Sequence, residues 1–516
     1  MRRVIMCGER GFEFLNLRKR VFDMKFRFTG CGLALALLLS SAPGGGLPAF
    51  VPPATEAFAE EDMIDKIERK LAKQTSELDE LVNRLIEEKK AELDRQTVEL
   101  NKELDKNFLN KKDDDFGTIL RDVVAGEFDQ AETSILEKAR NGDMYAQNDL
   151  GLMYDTGDGM PQDDAEAVRW YTAAAEQGFS IAQTNLAWMY EKGRGVEQDY
   201  KKAAEWYTRA ADQGYSRAQN NLGVMYEHGR GVEQDLAKAA ALYKKSAEQG
   251  NLNAQTNLAW MYENGRGVKQ DDKKAVEWYT KAANAGDSRA QTNLGWMYEN
   301  GRGVRKSDKK AVEWYRKGAE NGNPYAQTNL GWMYESGKGV ELDEAKAAEW
   351  YRMAAEQGHA RAQTNLAWLY QNGIGVPQDD REAADWYGLA AALGDARAQT
   401  NLGWMYDKGR GVEQSDSEAV RWYRSAAEQG YATGQANLGW MYMNGRGVKK
   451  DIKEALKWLN LAAEQNNANA VYNIGWLYEN GDGVKKDVKK AVEWYRRGAE
   501  LGDESSQEAL KRLGEN

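Results

Sequence analysis

Tryptophan recurs at a fixed interval in this 516-residue chain, and its ring is well suited to stacking against a ligand. Eight of the tryptophans are separated by 36 residues or a multiple of 36: Trp188, Trp260, Trp296, Trp332, Trp368, Trp404, Trp440 and Trp476. Leu152 and Val224 fill the two other positions of this Trp column. On one shared face, the rings would form a ladder for peptide side chains or sugar rings. The alternative is that each ring only covers the neighbouring copy of the same unit.

Charged residues recur beside the Trp column. Acidic side chains stand three residues after most of these tryptophans, among them Glu263, Glu299 and Glu335, and such a row would favour basic ligands. A basic row follows three residues later, in a glycine-rich loop: Arg194, Arg230, Arg266, Arg302, Lys338, Arg410 and Arg446. We expect this basic row to lie along one rim and to pair with nearby acids, because rows of charge are usually solvated.

Groups able to catalyse a reaction are scarce. The only histidines, His228 and His359, occupy different positions of the 36-residue period, and neither has a nucleophile partner or metal-ligand spacing. Each Gly-x-Gly follows a predicted helix and precedes no Lys-Ser or Lys-Thr, unlike a phosphate-binding loop. Carboxylate pairs occur in every copy, which is typical of a surface rather than of one tuned site. We therefore expect a non-catalytic protein without a cofactor or metal ion.

One copy of the repeating unit runs from Asn323 to Gly358. Asn323 followed by Pro324 predicts the start of a first helix, and Asp343 predicts the start of a second one. Gly337 ends the first helix and Gly358 the second, because glycine accepts the positive φ found after a helix. The predicted apolar faces are Ala326, Leu330, Met333 and Tyr334 on the first helix, and Ala347, Trp350, Tyr351, Ala354 and Ala355 on the second.

Such a hairpin cannot bury its apolar face alone, whereas stacked copies share one core. We therefore predict an all-α solenoid of ten 36-residue hairpins over residues 143–502. A degenerate copy over 116–142 precedes them, and a capping helix over 503–516 follows. Gly or Ala recurs one residue before the Trp column, which predicts a close approach of helix backbones there. We assign the second-helix tryptophans, such as Trp314, and the first-helix tyrosines, such as Tyr298, to the core.

The motif Ala-x-x-x-Leu-Gly-x-x-Tyr-x-x-Gly-x-Gly-Val, followed by Asp-x-x-x-Ala-x-x-Trp-Tyr-x-x-Ala-Ala, resembles the Sel1-like repeat, a relative of the tetratricopeptide repeat. The loop from Gly193 to Asp199 is longer than the tetratricopeptide link. The resemblance implies a right-handed superhelix whose first helices line a concave groove, so the Trp column would look into that groove. It also implies adaptor or scaffold activity. By analogy with peptide-binding relatives, a column of amides would hold a ligand backbone: Asn257, Asn293, Asn329, Asn365 and Asn401.

The chain starts with two segments of different composition. Residues 1–59 contain a short apolar run after Lys25 and Arg27 and end in Ala57-Phe58-Ala59, which predicts a cleaved signal peptide. The alternative is an uncleaved membrane anchor. Met24 offers a second start site. Residues 60–115 carry apolar residues at alternating intervals of three and four, which predicts a long coiled-coil helix. This helix either drives self-association or lies back on the solenoid as a single amphipathic helix.

Charge and export narrow the choice of partners. The net charge of −11 becomes about −15 once the leader, with eight basic and four acidic residues, is removed. Nucleic acid is therefore not an expected partner, since phosphate binding needs Lys and Arg. We expect a periplasmic or secreted protein whose mature chain has no membrane span. Its groove would bind a partner protein or peptide as an envelope scaffold, or alternatively a glycan such as peptidoglycan or an exported polysaccharide.

Overall fold

The computed structural model describes residues 135–515, and within this range the chain is helical without any strand. In chain order the helices are α1 (Met144–Thr156), α2 (Asp164–Glu176), α3 (Ser180–Lys192), α4 (Tyr200–Asp212), α5 (Ser216–His228), α6 (Leu236–Glu248), α7 (Leu252–Asn264), α8 (Asp272–Asn284), α9 (Ser288–Asn300), α10 (Asp308–Glu320), α11 (Pro324–Ser336), α12 (Glu344–Glu356), α13 (Ala360–Asn372), α14 (Asp380–Ala392), α15 (Ala396–Lys408), α16 (Asp416–Glu428), α17 (Ala432–Asn444), α18 (Ile452–Glu464), α19 (Ala468–Asn480), α20 (Val488–Glu500) and α21 (Glu504–Leu513).

These helices confirm the predicted all-α solenoid of 36-residue hairpins. Helices α1 and α2 form repeat 1, α3 and α4 form repeat 2, and the series continues to α19 and α20 in repeat 10. First helices of neighbouring repeats also contact each other, as α9 does with α11 and α15 with α17. We call the surface formed by the first helices the first-helix face.

The helix boundaries of repeat 6 follow from its caps. The Asn323 side chain accepts hydrogen bonds from backbone N–H groups of the first turn of α11, and Pro324 opens that turn. Asp343 caps α12 in the same way. Gly337 ends α11 with a φ of 65° and Gly358 follows α12 with a φ of 82°, as predicted from the sequence. An Asp or Ser side chain caps every second helix, as Asp199 does for α4. Among the first helices, α3, α5, α13 and α17 begin without a side-chain cap, although their length is the same.

A tyrosine on the second helix fills the centre of most repeats, and Leu459 takes its place in repeat 9. The fully buried examples are Tyr171, Tyr207, Tyr243, Tyr279, Tyr315, Tyr351, Tyr387 and Tyr495. The first helix leaves room for this ring by carrying Gly or Ala opposite it. A Cβ added at Gly295 would lie 2.6 Å from Cδ1 of Tyr315, nearer than any backbone atom of the facing helix. The small residues are therefore required by a ring as well as by the approach of two backbones.

The first-helix tyrosines pack against the core clusters but are only half-buried, so their assignment to the core holds for one side of each ring. They are Tyr190, Tyr226, Tyr262, Tyr298, Tyr334, Tyr370, Tyr406 and Tyr442. The ammonium of Lys310 lies 5.1 Å from the centre of the Tyr298 ring, and Lys274 covers Tyr262 similarly at 5.2 Å. Packing from one side and a cation from the other explain why these rings keep part of their surface in water.

The described ends of the stack are covered by short helical pieces. Residues 135–140 are helical, and Ala139 packs against Ala146 and Leu150 of α1. Helix α21 covers α20 at the other end, where Lys511 stands exposed at the position of the small Gly or Ala. No helix within residues 135–515 has the length and apolar character needed to cross a membrane. The predicted leader (1–59), the predicted coiled coil (60–115) and residues 116–134 lie outside the described residues.

Candidate partner-binding site

The Trp column lies on the first-helix face with its rings partly in water. Six of the eight rings are half-buried, and two are exposed: Trp296 at 37% and Trp368 at 42% of their surface. The buried side of each half-buried ring rests on the core of its own or the neighbouring repeat, as Trp332 does. The column is therefore neither core nor fully solvated, which is the state expected of an aromatic contact surface.

A loop cation covers most of these rings. Arg302 lies with its guanidinium carbon 5.3 Å from the centre of the Trp296 ring, and the Lys338 ammonium lies 4.1 Å from Trp332. The same pairing joins Arg194 to Trp188, Arg266 to Trp260, Arg410 to Trp404 and Arg446 to Trp440. In the sequence the Trp column and the basic row are two separate features, whereas in the structure they form one mixed surface of rings and cations.

Four of these arginines also bind acids of the preceding repeat, and we call each such arrangement an arginine bridge. Arg302 donates from Nε and Nη2 to the two carboxylate oxygens of Asp272, at 3.1 and 2.7 Å. It also donates to the backbone oxygen of Glu263 at 2.9 Å and pairs with the Glu263 carboxylate at 3.4 Å. Arg194, Arg410 and Arg446 bind Asp164, Asp380 and Asp416 in the same two-point manner. The predicted pairing of the basic row with acids is confirmed at these positions.

Each predicted acidic site residue has a structural partner. The hydroxyl of the buried Tyr279 donates to Glu263 at 2.8 Å, and Tyr315 and Tyr351 donate to Glu299 and Glu335 at 2.7 and 2.5 Å. Burial, and then the adjacent Glu263 charge and hydrogen bond, raise the pKa of Tyr279 well above its usual range. These carboxylates therefore anchor the core ring of their own repeat with one oxygen and leave the other for a further contact.

The predicted amide column lies half-buried at the junctions between repeats. Asn293 contacts the Tyr279 hydroxyl of the preceding repeat and opposes part of the rise in its pKa. Asn329, Asn365 and Asn401 do the same for the preceding tyrosines. Asn257 instead donates to Oδ1 of Asn220 at 3.1 Å. Each of the five amides thus contacts the preceding repeat. The periodic sequence did not reveal these contacts, because they join residues of two different repeats.

The titratable groups most often used in catalysis are apart from one another. Nδ1 of His228 lies 3.0 Å from the Val224 oxygen at the end of α5. His359 precedes α13, where its Nδ1 lies 2.7 Å from the Thr328 hydroxyl. Burial, followed by the charge of Arg361, lowers the pKa of His359. Within residues 135–515, no three His, Cys, Asp or Glu side chains gather closely enough to hold a metal ion.

A stack of two-helix repeats with aromatic and charged side chains along its first-helix face defines a helical repeat protein of the scaffold class. The Sel1 repeat family model matches ten consecutive segments: 145–179, 180–215, 216–251, 252–287, 288–323, 324–359, 360–395, 396–431, 432–467 and 468–503. The chain therefore belongs to the Sel1 repeat family, as its motif predicted. Proteins of this family are generally non-catalytic scaffolds for protein–protein interaction.

Two solved structures resemble the chain. One is a protective antigen present in uropathogenic Escherichia coli strains, described as displaying an SLR fold. It is 35% identical, with a TM-score of 0.59, over 83% of this chain and 91% of that one. The other is a Sel1 repeat protein from Oxalobacter formigenes, 36% identical with a TM-score of 0.47, over 60% of this chain and 90% of that one. A comparison with curated proteins gave no significant match.

Proposed function

We propose that this protein is an envelope scaffold that binds a partner protein or peptide along the first-helix face. The observation that carries the proposal is the Trp column, whose rings stay partly exposed in every repeat that has one. Trp296 and Trp368, the two exposed rings, lie in the middle of the stack. Exposed tryptophan is the residue type that most often supplies binding energy at an interface, whereas exposed charge pairs contribute little.

Export from the cytoplasm is the second part of the proposal. Its support is the apolar run and the Ala57-Phe58-Ala59 pattern of the first 59 residues. The resemblance to a protective antigen favours the same location. Sequencing the amino terminus of protein taken from its native host should find a start near Glu60. Recovery of residues before Pro43 would show that the leader is retained.

Photocrosslinking tests the binding face. A photoreactive phenylalanine placed at Trp368 lies on a first helix, and the same residue placed at Leu389 lies exposed on the second helix of the same repeat. We expect protein adducts from position 368 and not from position 389 in the native host. Changing Trp296 and Trp332 to Ala together should reduce these adducts by about tenfold or more. Equal adducts from both positions would contradict the proposal.

The chemistry of the adduct separates the two ligand classes considered for the groove. Mass spectrometry of a protein adduct should recover peptides of one partner. An adduct that carries sugar instead of peptide would replace this proposal with the glycan-binding alternative.

Self-association through residues 60–115 is a separate proposal, which rests on the coiled-coil pattern in the sequence. Light scattering of a chain that starts near Glu60 should then give a larger mass per subunit than a chain that starts near Phe116. Equal monomeric masses would exclude it.

A further inference from the structure

Each arginine bridge is an example, within the chain itself, of how the first-helix face binds a guanidinium. At each one, a guanidinium lies against a tryptophan ring and makes a two-point bond to the acid that opens the preceding second helix. Arg302 shows the full set, with Trp296 in its own repeat and Asp272 and Glu263 in the preceding one. Those acids stand thirty and thirty-nine residues before the arginine. The chain thus contains its own example of a guanidinium site.

Repeat 7 keeps this site but lacks the cation. Ile374 stands where Arg302 stands in repeat 5, and Trp368 stands where Trp296 does. The residues thirty and thirty-nine before Ile374 are Glu344 and Glu335, so both acids are retained. Ile374 packs on the core beside Tyr351 and Leu369. Since isoleucine is shorter than arginine, the place of the guanidinium beyond it is not filled by this side chain.

The two acids of this junction are available for a further contact. The Tyr351 hydroxyl bonds Oε2 of Glu335, which corresponds to the way that Tyr279 bonds Oε2 of Glu263. Glu344 is exposed at the first position of α12. Within the described part of the chain, neither Glu335 nor Glu344 forms an ion pair. Trp368 is the most exposed ring of its column.

We infer that the proposed partner inserts an arginine side chain at this junction, with its guanidinium on Trp368 and bonded to Glu344 and Glu335. The inference rests on the proposed function, because it concerns the same face. The occupant is an arginine since a planar guanidinium matches a carboxylate at two points and stacks on a ring. At this junction the partner's arginine would make the contacts that Arg302 makes within the chain two repeats earlier.

The neighbouring junction shows why a lysine fits less well. Lys338 lies 4.1 Å from Trp332, at the position that corresponds to Arg302, and the acid thirty residues earlier is Asp308. The ammonium remains on the ring and forms no ion pair with Asp308. Oδ1 of Asp308 is buried without a hydrogen-bond partner in the described structure. The ammonium therefore contacts the ring without bonding the acid, whereas the guanidinium of Arg302 contacts its ring and bonds its acid.

Trp476 supplies an internal comparison. It also lacks a loop cation, because Asp482 stands at that position. The residues thirty and thirty-nine before Asp482 are Ile452 and Met443, so no carboxylates correspond to Glu344 and Glu335. If only the absence of a loop cation mattered, Trp368 and Trp476 would be equivalent. The retained pair of acids distinguishes Trp368 from Trp476 and makes Trp476 the matched control.

Indole resonances of the full chain test the site directly. Blocked arginine (N-acetyl-arginine-methylamide) should shift the Nε1–H signal of Trp368 at millimolar concentration, and blocked citrulline, which is uncharged and of similar shape, should act about tenfold more weakly. The Trp476 signal should not respond. Glu344→Gln and Glu335→Gln should each weaken the response. Glu335→Gln retains the tyrosine bond, as Gln371 shows by accepting from Tyr387 at 2.9 Å. Equal responses to arginine and citrulline would overturn the inference.

Filling the site from within tests the role of the partner. Ile374→Arg should place a guanidinium on Trp368 and abolish the shift caused by blocked arginine, whereas Ile374→Leu should not. With the photoreactive residue at position 332, Ile374→Arg should reduce partner adducts by about tenfold. Undiminished adducts would overturn the arginine site while the proposed function stands. Absence of adducts from position 332 in the otherwise unchanged chain would instead count against the proposed function itself.

Discussion

The side chain of Gln357 donates from Nε2 to Oε1 of Gln327, 2.7 Å away, and joins the end of α12 to α11. Gln327 in turn donates to the backbone oxygen of Ala319 in the preceding repeat at 3.1 Å. The pair recurs through the stack, as in Gln213 with Gln183, Gln249 with Gln219 and Gln429 with Gln399. A line of amides, buried on the first helices and exposed at the ends of the second helices, therefore crosses the repeats and satisfies carbonyls that end the second helices.

Two interruptions of this line yield a stability prediction. Ala285 and Leu393 stand where Gln357 stands, and Oε1 of Gln255 and of Gln363 is buried there without a hydrogen-bond partner. Restoring the donor with Ala285→Gln or Leu393→Gln should raise the free energy of unfolding by about 1 kcal/mol each. Urea unfolding followed by circular dichroism measures the change. Ala285→Met and Leu393→Met provide the control for side-chain length, and a gain no larger than theirs would contradict the role of the amide.

Repeat 7 allows the orientation of its two kinds of ring to be tested. Tyr387 is fully buried, whereas Trp368 is 42% exposed. Tyr387→Ala should lower the free energy of unfolding by about 3–5 kcal/mol, because it opens a cavity in the core. Trp368→Ala should cost only about 1 kcal/mol, because a large part of this ring already lies in water and its removal leaves no closed cavity. Thermal unfolding of both variants measures this difference. Equal losses would place Trp368 in the core and remove the basis for a contact surface.

The arginine bridge between repeats 4 and 5 should be measurable as a coupling energy. The Arg302 and Asp272 side chains are 29% and 28% exposed, so water screens the pair only in part. A double-mutant cycle with Arg302→Met and Asp272→Asn should give a coupling of about 1–2 kcal/mol. Arg266 is the control, because Leu236 stands at the position of the acid. If Arg266→Met and Leu236→Asn couple as strongly, the bond to the acid is not what stabilises the junction.

Residues within one repeat could be predicted from the sequence, and contacts between repeats could not. Caps such as Asn323 and Asp343 act on their own helix, so a short motif suffices to locate them. The bond from Arg302 to Asp272 spans thirty residues, and a regular period offers many equivalent pairs at that distance. The half-buried state of Tyr298 was missed because its apolar spacing matches a core position, whereas its exposure depends on Lys310 above it. The pairing of Arg302 with Trp296 was missed for lack of loop geometry.

Alkaline pH should destabilise the stack steeply. Burial is the main cause of the raised pKa of Tyr279, and the charge and hydrogen bond of Glu263 add to it. Tyr315 and Tyr351 have raised pKa values for the same reasons. Above the ordinary tyrosine pKa of about 10, the unfolded chain loses phenolic protons that the folded chain retains, so the free energy of unfolding falls as pH rises. Each such tyrosine contributes about 1.4 kcal/mol per pH unit over this window.

Tyrosinate absorbance and circular dichroism recorded together measure this effect. The absorbance of the buried tyrosines should rise only as the helical signal is lost. Tyr279→Phe removes one titrating group and should reduce the slope of stability against pH. A native helical signal that persists after all the tyrosines have ionised would contradict the assignment of these rings to a sealed core.

The arginine bridges are distributed unevenly, and this gives the stack uneven stiffness. Arginine bridges connect four pairs of neighbouring repeats, through Arg194, Arg302, Arg410 and Arg446. The two junctions on either side of repeat 6 retain acids but have no arginine bridge. Because each repeat touches mainly its neighbours, a bending load concentrates at the joints that resist least. Both junctions of repeat 6 are among those without an arginine bridge, so the stack should flex there, as at its other unbridged junctions, when it wraps a partner. An arginine of the partner bound at Trp368 would then bridge repeats 6 and 7 and make this junction more rigid.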